Sequence, residues 1–281
     1  MTRLFSSVTS IATLGALVLV SSTALADKLV VAADVGFAPH VMAKPGGGFE
    51  GYNVDMVNEI GRRLGMEVEI VDQEWSGIFA GLNAKKYDFI MAPTTVTAER
   101  AQSMLFMEGY LDTDYRFLVK KDASDLASLE DLEGKIIAVN KGNIYDKWAS
   151  DRAEQYGWEM QRYGKNADAI QAVITGRAHA NLAGANSVGW AAKKNPLLKT
   201  TLTVKTDQVF SAAFRKDDVE LRNKIETAVE CMKLAGFFAM LDEKWLGLES
   251  APRAASTTVV MGFGDPSVEG YDPTPHTLSC N

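Results

Sequence analysis

Glu67-Val-Glu-Ile-Val71, Trp75-Ser-Gly-Ile-Phe-Ala-Gly-Leu82 and Tyr87-Asp-Phe-Ile-Met91 follow one another with only short gaps. The first alternates charged and apolar side chains, the two-residue period of a half-buried strand. Ser76 to Leu82 predicts a helix that stops before Lys85-Lys86, and Tyr87 to Met91 predicts a further strand. Strand, helix and strand in so little chain indicate an α/β layer.

The pattern continues on both sides. Upstream, Lys28 to Ala33 is a short β-rich run ending near Asp34, and the Pro- and Gly-rich segment Ala38 to Gly51 is a loop and turn. Val54, Val57, Ile60 and Leu64 have helical spacing, with Asn53 at the expected N-cap and Gly65 at the expected C-cap. Downstream, Thr97 to Gln102 suits a short helical turn. Tyr115 to Val119 is a strand, Ser128-Leu-Glu-Asp131 resembles a capping box, and Lys135 to Val139 is a strand that runs into Lys141-Gly-Asn143. Helices are expected at Ile144 to Tyr156 and at Asp168 to Thr175, and strands at Ala178 to Ala183 and Val209 to Arg215. A helical stretch from Glu220 to Trp245, interrupted near Gly236, follows. The whole predicts two α/β lobes with mostly parallel sheets. Residues 251–281, rich in Pro, Gly, Ser and Thr, read as an irregular tail held only by Cys280.

The first 26 residues have a different character. Arg3 supplies a positive start, Ile11 to Val20 is apolar, and Ala24-Leu25-Ala26 places small residues where a signal peptidase reads. The apolar run is about ten residues, half of what a membrane-spanning helix needs. A cleaved export signal at 1–26 and a periplasmic location are therefore expected. Removing 26 of 281 residues leaves 255 and takes the net charge from −7 to −8, since Arg3 is the one charged residue lost. Such acidity argues against nucleic acid or an anionic membrane as partner. In an oxidising compartment the pair Cys231 and Cys280 suggests one disulfide tying the tail to a helix, worth about 4 kcal/mol in the chain-entropy model. His40, His179 and His276 are far apart and there is no CxxC, so no metal site is expected.

Four groups of residues, in this order and spacing, resemble the family 3 (polar amino acid type) periplasmic solute-binding proteins. They are Asp34-Val-Gly-Phe37-Ala-Pro39 with Gly51-Tyr-Asn-Val-Asp55; Trp75 to Leu82 with Tyr87-Asp-Phe-Ile90; Thr95-Val-Thr-Ala-Glu-Arg100 with Phe106 and Tyr110; and Ser128 to Gly134 with Gly142, Phe214-Arg-Lys-Asp217 and Lys244-Trp-Leu-Gly247. The resemblance covers nearly all of 27–248. It implies a type II periplasmic binding protein fold, two lobes with mostly parallel sheets joined by a hinge. One lobe would hold 27–112 and 209–250, the other 113–208, with ligand in a cleft that closes by hinge motion. It also implies a monomer that passes a small polar carboxylate to the membrane permease of an ABC transporter, with no cofactor.

Carried over residue by residue, the resemblance gives Arg100 the ligand carboxylate, because a guanidinium fork matches a carboxylate with two charge-assisted hydrogen bonds. Thr95 adds a hydroxyl at the same end. Backbone N–H groups around Gly142 and Asn143 meet the carboxylate from the other lobe. Phe37 and Trp75 line the cleft with aromatic faces, and Asp34 either contacts a cationic group of the ligand or caps its loop. Tyr145 shapes the pocket. The acidic residue that many relatives set against an α-ammonium falls at Gly184 here, with Asn186 nearby to offer a carbonyl oxygen. The Ser/Thr pair common after the loop glycine is Asn143-Ile144. The missing acid leaves open an enzyme on the same fold, like the cyclohexadienyl dehydratases, although no nucleophile–base pair is evident.

Overall fold

The computed structural model describes residues 1–2, 27–251 and 253–280, so the export signal read at 1–26 lies, apart from its first two residues, outside the described part. The first segment forms β1 (Lys28–Ala33), a hairpin of β2 (Met42–Ala43) and β3 (Phe49–Glu50), α1 (Tyr52–Leu64), β4 (Glu67–Asp72) and α2 (Trp75–Asn83). It continues through β5 (Phe89–Thr95), α3 (Ala98–Ala101) and β6 (Met104–Phe106). The long strand β7 (Leu111–Lys120) leads to β8 (Ile136–Asn140), α4 (Ile144–Ser150), α5 (Ala153–Tyr156), β9 (Glu159–Tyr163) and α6 (Asn166–Ile174). β10 (Ala180–Gly184), α7 (Ala185–Lys194), β11 (Leu198–Arg215), α8 (Val219–Leu234) and α9 (Phe237–Leu241) follow, and α9 passes into a wide turn at Asp242–Leu246. Among the described residues, no helix is long and apolar enough to cross a membrane.

Two parallel half-sheets form as expected. β1 lies between β4 and β5, parallel to both, and β8 lies between β10 and β9, parallel to both. The two halves are not separate: β7 and β11 run antiparallel between them and complete one hydrogen-bonded path, β4-β1-β5-β11-β7-β10-β8-β9. The register of β11 against β7 shifts between Thr200 and Thr203 and again between Val204 and Gln208, so the crossing ladder is irregular. Two hydrophobic cores flank it. Leu29, Val57, Ile60, Phe89, Phe214 and Val229 belong to one, and Phe117, Leu118, Ile137, Val139, Ala172 and Leu182 to the other. The fold is two-lobed.

Several elements differ from expectation for physical reasons. Helix α1 buries Val54, Val57 and Ile60 and ends at left-handed Gly65, as predicted. Its start is not capped by Asn53, however. Tyr52 is already helical, and Gly51 precedes it at φ 139°, where a Cβ would collide with the His40 carbonyl. Asn53 is buried instead: its amide donates to the Met91 carbonyl at 2.6 Å and to the Tyr110 hydroxyl at 2.6 Å, and its oxygen faces His40 Nδ1 at 3.1 Å. The helix expected over Ile144 to Tyr156 is two, α4 and α5. β11 begins eleven residues before Val209, and α7 occupies a stretch for which no element was predicted.

Among its described residues the tail forms no helix and no strand beyond one bridge, Phe263 with Asp272, yet it is held by far more than Cys280. The Cys231–Cys280 disulfide is present, with Cα atoms 5.3 Å apart. Besides it, Val260 N–H donates to Glu108 at 2.6 Å and Gly264 N–H to Glu226 at 2.7 Å. Lys233 reaches the Thr258 carbonyl at 2.8 Å and Arg222 the Gly270 carbonyl at 3.1 Å. Ser250 and Ser256 both donate to buried Asp242, and His276 lies 2.7 Å from Glu230. Lys233 and Glu108 themselves form an ion pair at 2.7 Å with both side chains wholly buried. Charged residues on α8 thus find their partners in a segment whose composition alone reads as a loose end.

Candidate functional site

In α/β sheets, ligands bind beyond the carboxyl ends of parallel strands, where loops and helix starts converge. Both lobes present such ends to one cavity. From the first lobe come Asp34 and Phe37 after β1, Trp75 at the start of α2, Ala92, Pro93 and Thr95 of β5, and Arg100 of α3. From the second come Asn140 at the end of β8 and Asn143, Ile144 and Tyr145 at the start of α4.

Arg100 is held by its own neighbours. Thr97 caps α3 by accepting the Arg100 N–H at 3.2 Å, and the guanidinium donates to the Thr95 carbonyl at 2.9 Å. Its head lies 5.5 Å from the ring centroids of both Trp75 and Phe79, which meet edge to face. Burial lowers its pKa to about 10, so it stays protonated at neutral pH. Among the described residues, no carboxylate lies within ion-pair distance of it. A half-buried, charged fork with no carboxylate counter-ion among the described residues is a seat for an anion.

Asp34 is also buried. One oxygen accepts the Trp75 N–H at 3.2 Å, and the other has no hydrogen-bond partner among the described residues. Desolvation raises its pKa to about 7, against the opposing pull of that N–H and of Lys165. Phe37 stacks on His40, whose ring burial keeps neutral with a pKa lowered to about 4. Tyr145 carries a buried hydroxyl that the Thr113 side chain faces without hydrogen-bond geometry, leaving it unpartnered.

Three of the expected site residues make other contacts. The Gly142 N–H does not point at a ligand, because Asp146, in the first turn of α4, takes it at 2.9 Å. Gly142 instead offers its carbonyl to the Trp75 indole at 3.3 Å, a contact between the lobes. Asn143 lines the cavity, but its side chain caps α4 by accepting the Asp146 N–H at 2.8 Å. Asn186 lies outside the cleft: β10 turns directly into α7 at Gly184, which carries Asn186 to a separate hollow with Arg116, Trp190 and Trp245. The sequence reading missed Ala92, Pro93, Asn140 and Ile144. Pro93 was the available signal, since proline inside a buried strand marks a place where a ladder bond is absent. At the rim, Lys165 of the second lobe bridges to the Asp72 carboxylate at 2.9 Å and to the Val35 carbonyl at 3.0 Å.

Two lobes, two crossing strands and a cavity lined by a guanidinium with no carboxylate partner among the described residues define a cleft-type binding protein. Residues 29–248 match the bacterial extracellular solute-binding proteins, family 3, and the chain belongs to that family. The L-arginine-binding protein of Pseudomonas aeruginosa is 29% identical over 251 residues, which cover 85% of this chain and 97% of that protein. The structure of an ancestral arginine-binding protein bound to arginine matches with a TM-score of 0.75 and 28% identity, over 78% of this chain and 98% of that one. An ancestral amino acid-binding protein, a precursor of cyclohexadienyl dehydratase, matches with a TM-score of 0.73 and 29% identity, over 78% and 95% of the two chains. These similarities are to binding proteins, and this chain is a solute-binding protein.

Proposed function

We propose that the cleft binds an amino acid or a related small carboxylate for uptake, with the carboxylate on Arg100 and a ligand cation facing Asp34. The observation that carries this reading is the half-buried Arg100 guanidinium, fixed by Thr95 and Trp75 and left without a carboxylate partner among the described residues. Thr95 and the aromatic walls Phe37 and Trp75 complete the first-lobe side, and Asn143 and Tyr145 the second. The lobes divide at 112/113 and 208/209, positions paired across β7 and β11, and move about those strands. The protein acts in the periplasm after removal of residues 1–26, as a monomer that delivers its ligand to an ABC-transporter permease.

Titration calorimetry against a panel of amino acids and organic acids tests the reading. Arg100→Ala should weaken the best ligand by about a hundredfold or more, the scale of truncating one partner of a buried charge pair. Unchanged affinity in that variant would refute the assignment.

A further inference from the structure

Gly184 closes β10 and is wholly enclosed. A Cβ at this position would stand 2.7 Å from the Tyr145 hydroxyl, 3.4 Å from Phe210 Cζ and 3.6 Å from Thr113 Oγ1. No side chain enters there unless Tyr145 moves. Tyr145 is itself fixed, because its ring meets Tyr115 edge to face with centroids 5.0 Å apart, and the Tyr115 hydroxyl is tied to Gln208 at 2.5 Å. Tyr145 lines the cavity, and its hydroxyl is buried without a hydrogen bond from any described residue. A buried polar group left unsatisfied costs roughly 1–3 kcal/mol, which a ligand supplying the partner recovers.

We propose that Tyr145 is a specificity-determining residue of the cleft. Its hydroxyl reads the ligand substituent next to the carboxylate, as a neutral group in the space beside Gly184. The cleft then accepts 2-hydroxy and 2-oxo carboxylates as well as 2-amino carboxylates. The proposal rests on the reading that a carboxylate sits on Arg100. Arg100 and Tyr145 line the same cavity from opposite lobes. Burial still pushes the phenol well up, so it remains un-ionised, able both to donate and to accept. Among the described residues, the one carboxylate lining the cavity is Asp34, in the other lobe. A neutral hydroxyl separates ammonium from hydroxyl weakly, because each is offered one hydrogen bond of similar worth. A carboxylate at the same place would separate them strongly.

The test is calorimetry on paired probes: alanine and lactate, aspartate and malate, phenylalanine and phenyllactate, arginine and its 2-hydroxy analogue. In the wild type the two members of the best-bound pair should differ by no more than about tenfold. Tyr145→Phe should weaken the hydroxy acid by about three- to tenfold and change the ratio within the pair, a readout that a packing role would not move. Gly184→Asp combined with Tyr145→Ala should restore room for a carboxylate and favour the amino acid by about a hundredfold. A wild type that already prefers the amino acid by more than about a hundredfold overturns the proposal, as does a Tyr145→Phe variant with an unaltered ratio. Binding of none of the probes would instead overturn the carboxylate reading, and this proposal with it.

Discussion

Asp34 shows how one buried carboxyl couples binding, stability and pH. Its native pKa of about 7 lies above the ordinary carboxylate value of 3.8, because burial outweighs the Trp75 N–H it accepts. Between those two values the folded chain therefore holds more protons than the unfolded one, and stability falls as pH rises through that window. The loss amounts to as much as about 4 kcal/mol. Urea titrations of Asp34→Asn should show the variant overtaking the wild type between pH 4 and pH 8, and parallel curves would show that the carboxyl is hydrated. A ligand cation set against Asp34 reverses the sense. It stabilises the ionised form, so affinity for a cationic ligand should rise by up to about tenfold from pH 6 to pH 8 and that for a neutral ligand should not. At this scale the sequence was informative where a side chain acts directly. Arg100, Asp34 and Trp75 stand in the cavity because each leaves a strand end or starts a helix there. It was uninformative where a backbone group was at stake: whether the Gly142 N–H is free depends on Asp146 folding back over it, and no spacing rule announces that.

Among the elements, what could be read was set by how strongly each one patterns. The stretch from Glu67 to Met91 alternates and then repeats helically, and β4, α2 and β5 appear where expected. The first half of β11 does not pattern, because Thr200 to Gln208 runs between the lobes with much of it half-exposed, so no apolar face marks it. Asn53 misled for the opposite reason, since a residue suited to capping was recruited by three buried partners, His40, Met91 and Tyr110. The Lys165 bridge to Asp72 and Val35 joins elements of different lobes, and it forms only where the lobes meet. As a partly exposed ion pair it is worth about 0.2–1 kcal/mol. Lys165→Ala should accordingly weaken ligand about two- to fivefold in calorimetry while leaving the melting temperature of the ligand-free protein within a degree or so. A large fall in that melting temperature would mean that the lysine supports the fold and not closure.

The whole molecule depends on a polar interior that composition hides. Lys233 and Glu108 are wholly buried as a pair, and the tail carbonyl of Thr258 and the N–H of Val260 complete their shells. Lys233→Ala would strand Glu108 and should cost about 3–5 kcal/mol in urea unfolding. A loss below about 1 kcal/mol would show that water reaches the site. The tail was legible as irregular and as disulfide-linked, but not as a wider structural partner of α8, because apart from His276 its polar contacts with that helix are made by backbone groups that every sequence possesses. The crossing of β7 and β11 has one more implication, for the order of assembly. The first core draws on residues near both ends of the chain, and β5 waits for β11, with Thr95 paired to Phe210. The second core is built from one unbroken stretch. Loop closure over the longer separation is the slower event, so β8 and β10 should gain amide protection before β1 and β5 in pulsed hydrogen exchange. A chain that folds in this order leaves β5 without its antiparallel neighbour until β11 has been delivered, which suits the export proposed for it.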